Sequence, residues 1–358
     1  MMRIPVCVLV AVPLGFAEGC RTMPDAPRPV ESTRTYHAAM DLDPNPHVLT
    51  ITTFRPTVPW LFGSPPAFAA TAVGAILTGE FQNVVKTSFD RRLGYHVYGH
   101  VVVELKTVDP ATHEPVYLVT SVTDADPGEA RRLLFQDKIG LSLAVTGTEG
   151  KIQSPAEAAT IVDEPAEIGV HASRLRFLLS PESAAAMLVH YREFVDAGIY
   201  KRYSLTAYPF HRDGAGCSSL AVSFLDVGGI LTPEMMEAWR VSIHAPDHLF
   251  GDPEAGHTVP VWRLAAYFLT HFRWPETDYR PVVFYDTMLM YRYTARLAKQ
   301  SGREQGDGDR DLAEYLSIPT ATLDARPCVP RPVVPGEPTG VGDLRFPPLS
   351  LVQSLVTR

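Results

Sequence analysis

The chain has 358 residues, of which 46% are hydrophobic and 20% charged, and its formal net charge is −8. This composition excludes a wholly disordered chain, a collagen-like chain and a polytopic membrane protein. The acidic balance and the lack of a long basic run argue against a nucleic-acid binder. The 32 prolines are an excess for this length. Because they concentrate near the two ends, they predict extended arms around one compact body.

The N-terminus predicts export. Arg3 precedes an apolar stretch, Ile4 to Phe16, that is too short to span a bilayer as a helix. Small residues then precede Cys20, a pattern similar to the lipobox of bacterial lipoproteins. We therefore expect residues 1–19 to be a signal peptide and Cys20 to carry lipid, with soluble secretion after the same cleavage as the alternative. The proline-rich segment 20–46 predicts a tether.

The first half of the body is rich in strand signals. A polar loop containing Asp109 and Pro110 separates two β-rich runs, which predicts a long hairpin. Strands are predicted over five segments: 47–56, 97–107, 115–123, 139–148 and 173–179.

The second half is predicted to be helical. Ser180 and Pro181 are the residues preferred at a helix N-cap and first turn, and they predict a helix that runs to Gly198. From Ser301 the chain becomes charged and glycine-rich and then proline-rich, so residues 301–358 are expected to be a tail that wraps the body or stays mobile. Further helices are predicted over 217–225, 233–241, 261–272 and 288–300. Together these elements predict a single α+β domain over residues 47–300.

Cys217 is the first candidate for chemistry. It follows a glycine-rich turn, Gly214-Ala215-Gly216, and opens an apolar helix. The positive end of the helix dipole lowers the pKa of such a thiol, and the free N–H groups of the first turn can stabilise an oxyanion. The alternatives are a buried small hydrophobe or a disulfide to Cys328, which an oxidising compartment would permit.

His100 is the candidate base. It follows Gly99 at the start of a predicted strand, and Glu104 on the same face is too far away to orient its imidazole. If Thr107 pairs with Pro115 across the hairpin, His100 faces the partner strand near Thr120 and Ser121. These two hydroxyls are the predicted orienting groups, although they orient more weakly than a carboxylate would. His100 as an ordinary strand residue is the alternative.

The motif Gly99-His100-Val101-Val102-Val103, followed much later by Gly216-Cys217-Ser218-Ser219, resembles the circularly permuted papain-like hydrolases of the NlpC superfamily. In that family a strand begins with the His, a neighbouring strand carries a third polar residue and the Cys begins a helix. The resemblance implies an antiparallel sheet packed on helices, with Cys217 as nucleophile and His100 as general base. The third position falls near Thr120 or Ser121, where the family's usual His, Asn, Gln or Glu is missing.

Two other patterns fail as metal sites. His244, His248 and His257 cluster in sequence, but Pro246 breaks the helical spacing and Ala245 stands where a zincin needs Glu. The acidic run of Asp307, Asp309 and Asp311 lacks the Gly and the final Glu of a calcium loop. No metal and no other cofactor is therefore predicted, and both segments are interpreted as loops.

The sequence thus predicts an exported protein of the bacterial cell envelope, periplasmic or attached to the membrane through a lipid on Cys20. It would be a cysteine hydrolase or acyltransferase acting on an amide or ester bond of a peptide or other acyl substrate. The alternative is a non-catalytic envelope lipoprotein that uses the same fold for binding or scaffolding.

Overall fold

The computed structural model describes residues 44–56, 61–70, 99–154, 157–158, 172–301 and 318–331, all within one compact unit. The predicted signal peptide, Cys20, nearly all of the predicted tether and most of the predicted tail lie outside these residues. The described part of the chain is a mixed α+β structure, as the sequence predicts.

Three sheets are formed by the described residues. One has five strands in the order β10-β6-β1-β2-β3, one has three in the order β4-β5-β7, and one is the β8-β9 pair. The strands are β1 Val48–Phe54, β2 His100–Val108, β3 Pro115–Thr120, β4 Val122–Asp124, β5 Thr148–Ile152, β6 Ala172–Leu179, β7 Arg202–Tyr203, β8 Arg240–Pro246, β9 Tyr279–Tyr285 and β10 Thr320–Ala325.

Two of the helices begin at residues whose side chains cap them. Ser180 Oγ accepts a hydrogen bond from the Ser183 N–H at 3.1 Å, and Thr232 Oγ1 does the same for the Met235 N–H at 3.1 Å. The described helices are α1 Pro127–Phe135, α2 Leu143–Thr146, α3 Pro181–Asp196, α4 Cys217–Val227, α5 Pro233–Trp239, α6 Val261–Thr270 and α7 Thr287–Ser301.

The main core lies between the five-stranded sheet and helices α3, α4 and α7. Alternate residues of β1 and β2, such as Ile51 and Val103, point to this side, where they meet Phe224 of α4. Each fully buried apolar side chain of this size contributes about 1.5–3 kcal/mol. The packing fixes the start of α4 against the start of β2, where the site described below is located.

A second apolar cluster surrounds the antiparallel pair of β8 and β9, between which helix α6 lies in the chain. Leu264 and Phe268 of α6 pack there with Phe284 of β9, and Phe68 from the helical residues 65–70 joins them. The sequence predicts a loop where β8 runs, and that prediction is wrong, because the residues from 240 to 246 alternate between exposed and buried positions as in a strand with one covered face.

The predicted strand over 139–148 is also wrong. Gly140 and Gly147 adopt positive φ angles of 59° and 76°, which interrupt an extended run, and the short helix α2 lies between them. The strand of this region, β5, begins only at Thr148 and ends at Ile152.

Part of the predicted tail belongs to the sheet. Strand β10 pairs with β6 in parallel, so the five-stranded sheet is mixed rather than purely antiparallel. Beyond it the Arg331 N–H donates to the Val227 carbonyl at 2.9 Å, and its guanidinium donates to Asp226 at 2.8 Å. These contacts join the segment 318–331 to the C-terminal end of α4. Among the described helices, none has the length and apolar character to cross a membrane.

Candidate active site

Cys217 is the first residue of α4, as predicted. Gly216 is the extended residue before the helix, and its N–H donates to Ser219 Oγ at 2.9 Å, which closes the first turn. A side chain on Gly216 would come within 3.0 Å of the Ser204 carbonyl, so glycine lets the turn lie close to the strand side of the site. Cys217 is only 6% exposed.

His100 is the first residue of β2 and pairs with Phe54 of β1. It is 7% exposed. Gly99 precedes it with φ +75°, and a Cβ at that position would overlap Thr287 Oγ1. Glycine is therefore required here on two counts, backbone conformation and space, and both place His100 at the beginning of the strand.

The His100 imidazole lies between Cys217 and Gln153. It is hydrogen-bonded to the Cys217 thiol, and its Nε2 lies 2.9 Å from Gln153 Oε1. An amide oxygen only accepts, so Nε2 carries the proton and Nδ1 is left as the unprotonated nitrogen that can accept from the thiol. Gln153 thus fixes the tautomer that a general base needs.

The electrostatics of the pair favour charge separation. Burial lowers the pKa of His100, but its hydrogen bonds to Cys217 and Gln153 raise it more, so the net shift is upward. Burial raises the pKa of Cys217, but His100 and the N–H groups of Val101 and Ser218 lower it more, so the net shift is downward. The two shifts together stabilise a thiolate–imidazolium pair.

Tyr203, at the end of β7, completes the group. Its hydroxyl is hydrogen-bonded to Cys217, and burial together with the nearby sulfur raises the pKa of the phenol well above its ordinary value. The phenol therefore keeps its proton and can donate to a thiolate. Strand β7 is fixed in place because Tyr203 pairs with Thr148 of β5 and with Ala215 just before the helix.

Neither the Thr120 nor the Ser121 hydroxyl is hydrogen-bonded to the His100 imidazole. The hairpin register is one residue away from the predicted one, with Val108 rather than Thr107 opposite Pro115, and the pairing of β2 with β3 stops at Val103 and Thr120. Ser121 Oγ donates to the Val101 carbonyl at 2.6 Å, and Thr120 Oγ1 is buried without a hydrogen-bond partner. The predicted orienting role passes to Gln153.

Gln153 was not singled out from the sequence because a strand pairing brings it to the site, and no local sequence pattern predicts that pairing. Strand β4 leaves the hairpin after Ser121 and pairs instead with β5, placing Val122 opposite Ile152. The next residues continue this register, since the Gln153 N–H donates to the Ser121 carbonyl at 2.9 Å. Gln153 lies five residues beyond the predicted strand 139–148, so no predicted element pointed to it.

The structure also places most of the residues of the alternative disulfide and of the two rejected metal sites. Cys217 and Cys328 are both free, so the alternative disulfide is not formed. His244 stacks on Tyr279 at 3.8 Å, and His257 Nδ1 bonds the Phe250 carbonyl at 2.9 Å. Within the described ranges no group of three or more His, Cys, Asp or Glu side chains is placed to hold a metal. The acidic run 307–311 lies outside those ranges.

The described chain is therefore an α+β protein with a buried Cys–His–Gln arrangement at the start of a helix. No family model, curated protein or solved structure matches it.

Proposed function

We propose that the protein is a cysteine hydrolase or acyltransferase that acts on an amide or ester bond. The observation that carries this proposal is the hydrogen-bonded group of Cys217, His100 and Gln153, in which the pKa values of thiol and imidazole shift toward an ion pair. A buried small hydrophobe in the place of Cys217 would not need a base with a fixed tautomer.

In the proposed reaction the Cys217 thiolate attacks the carbonyl carbon of the substrate. The carbonyl oxygen gains the negative charge, and the first-turn N–H groups of α4 are the candidate donors to it. The tetrahedral intermediate collapses, the carbon–nitrogen or carbon–oxygen bond breaks, and the His100 imidazolium gives its proton to the leaving group. Water or another acceptor then attacks the thioester while His100 takes the proton, which releases the product and restores Cys217.

The topology supports a permuted papain-like core as the finer description of the fold. The His begins a strand, a polar residue on another strand orients it, and the Cys comes later in the chain at the start of a helix. Gln153 supplies a residue type that the family uses at the third position, where the sequence offered only Thr120 and Ser121.

The proposed setting is the bacterial cell envelope, with export directed by residues 1–19 and attachment through Cys20. In that setting the substrate would be a cell-envelope peptide.

The competing function is a non-catalytic binding module with the same fold. The low exposure of Cys217 and His100, 6% and 7%, favours this alternative because a substrate must reach the sulfur.

Acylation of Cys217 tests the proposal directly. The protein is mixed with p-nitrophenyl acetate, and the acetyl adduct is mapped by mass spectrometry while released nitrophenol is followed by absorbance. We expect a stoichiometric burst and an adduct on Cys217, both abolished in Cys217→Ala and slowed in His100→Ala.

Cys328 is the internal control. Burial raises the pKa of its thiol, and it has no imidazole partner among the described contacts. Below about pH 7 iodoacetamide should therefore label Cys217 far faster than Cys328. Equal, slow labelling of both thiols together with no acetyl adduct would refute the enzyme and favour the binding module.

A further inference from the structure

The outer face of α6 is apolar and uncovered in the described structure. Trp262 and Leu269 are 70% and 73% exposed, and Phe272 just beyond the helix is 74% exposed. Ala265 and Ala266 lie between them and are also exposed. Positions 262, 265, 266 and 269 follow helical spacing, so they form one continuous stripe along the helix.

The opposite side of α6 packs against the body of the protein. Leu264, Tyr267 and Phe268 are buried in the second apolar cluster, where the Phe268 ring meets Phe68 at 5.7 Å. The outer stripe is therefore displayed by an already folded helix, and a partner would bind it without the entropic cost of forming that helix.

The segment that carries this stripe is basic although the whole chain is acidic. No Asp or Glu occurs between Glu254 and Glu276, while Arg263 and Arg273 lie within that span. Burial is the main cause of the lowered pKa of His248, and the nearby Arg263 and His271 lower it further.

The neighbouring carboxylate of Asp247 opposes this charge, since it raises the pKa of His248, but it is shared with a further arginine. Asp247 lies beside His248 but forms an ion pair with Arg280, with 3.5 Å between Oδ1 and Nε. The stripe is thus flanked by basic groups on a protein whose net charge is −8.

We propose that this face, Trp262, Ala265, Ala266, Leu269 and Phe272, binds the surface of a bilayer that contains anionic lipid. A helix with Trp, Leu and Phe on one face and arginines at its flanks has the composition of helices that lie in the headgroup region. A second protein is a poorer match, since a stable interface buries about 800 Å² on each partner and one short helix offers less. This contact is separate from lipid on Cys20 and does not depend on the proposed catalysis.

Vesicle flotation of the full chain carrying Cys20→Ser, so that no lipid is attached, tests the proposal. Vesicles of phosphatidylcholine with equal phosphatidylglycerol are compared with vesicles of phosphatidylcholine alone. We expect binding to the anionic vesicles, weakened about tenfold or more when Trp262, Leu269 and Phe272 are all changed to Ala. Added salt and the pair Arg263→Gln and Arg273→Gln should weaken it as well.

A matched control changes three exposed apolar residues elsewhere, Val189→Ala, Leu205→Ala and Val329→Ala, and should leave binding unchanged. Quenching of tryptophan fluorescence by brominated lipid should drop in Trp262→Phe, which places the residue in the bilayer. The proposal is overturned if the parent does not bind anionic vesicles or if both triple variants bind equally. It is also overturned if the stripe variant abolishes a concentration-dependent dimer instead, because a second copy then occupies the face.

Discussion

Gln153 Oε1 accepts a hydrogen bond from His100 Nε2 over 2.9 Å, across 53 residues of chain. The contact joins the end of β5 to the beginning of β2, and the imidazole in turn meets Cys217 at the beginning of α4. Three element ends therefore meet at one point, and each supplies one polar group. Gln153 stabilises the protonated imidazole, and the imidazolium stabilises the thiolate.

Removing this amide should make Cys217 less acidic. In Gln153→Ala the imidazole loses an acceptor worth about 1 kcal/mol, so the pKa of His100 should fall and that of Cys217 should rise by roughly half to one unit. The midpoint of the iodoacetamide rate against pH measures the change, and we expect it to move to higher pH.

Gln153→Glu is the matched test in the opposite direction. A carboxylate accepts the same hydrogen bond and adds negative charge, so the pKa of His100 should rise and the midpoint should move to lower pH. If Gln153→Ala and Gln153→Glu shift the midpoint alike, the residue only supports the local packing and does not orient the base.

The sequence predicts two members of this arrangement, Cys217 and His100, but not the third, Gln153. Cys217 and His100 carry local signals, a glycine turn before a helix and a glycine before a strand. Gln153 depends on β4 leaving the hairpin to pair with β5, with helices α1 and α2 between them in the chain. Such pairing is decided by packing at long range, and a one-residue shift of register is enough to misplace every candidate partner.

The predicted helices and strands are likewise correct where the signal is local and wrong where long-range pairing decides the structure. The helix start marked by Ser180 is predicted correctly because its capping hydrogen bond is local. The β8–β9 pair and the edge strand β10 are missed, since their strands pair with segments far away in the chain. Strand β10 lies within the predicted tail over 301–358, whose composition gives no sign of a sheet strand.

Tyr203 should contribute to thiolate stability through its hydroxyl. Tyr203→Phe keeps the ring and removes the donor to Cys217, so the pKa of the thiol should rise by about half to one unit. The iodoacetamide profile measures this shift. Tyr208→Phe is the matched control, since that hydroxyl donates to Asp226 at 3.3 Å and not to the sulfur. Equal profiles for the two variants would contradict the assignment.

Gly99→Ala should destabilise the protein through a steric clash as well as backbone strain. A Cβ at Gly99 overlaps Thr287 Oγ1, and φ there is +75°. Gly256 has nearly the same φ, +77°, with no heavy atom within 4 Å of an added Cβ. We expect Gly256→Ala to cost about 1 kcal/mol and Gly99→Ala a further 1–3 kcal/mol, roughly, in urea unfolding. Equal losses would show that the contact with Thr287 relaxes at no cost.

His190 should make the stability of the protein depend on pH. Its Nε2 lies 2.9 Å from Ser223 Oγ, its ring stacks on Phe210, and burial lowers its pKa to about 4. The folded state then binds fewer protons than the unfolded state between about pH 6.5 and pH 4. The free energy of unfolding must therefore fall as the pH falls through this window, by up to about 3 kcal/mol from this group.

His190→Gln keeps a hydrogen-bonding side chain at this position but cannot take up the proton. Urea unfolding at pH 7 and at pH 4.5 should show a smaller loss of stability in this variant than in the parent, by about 2–3 kcal/mol. His113→Asn is the control, because His113 is exposed, lies at φ 59° and is replaced by a residue that tolerates this conformation. It should retain the full acid sensitivity of the parent. If His190→Gln retains it too, the buried imidazole takes up its proton without loss of the fold, and the acid sensitivity originates in other groups.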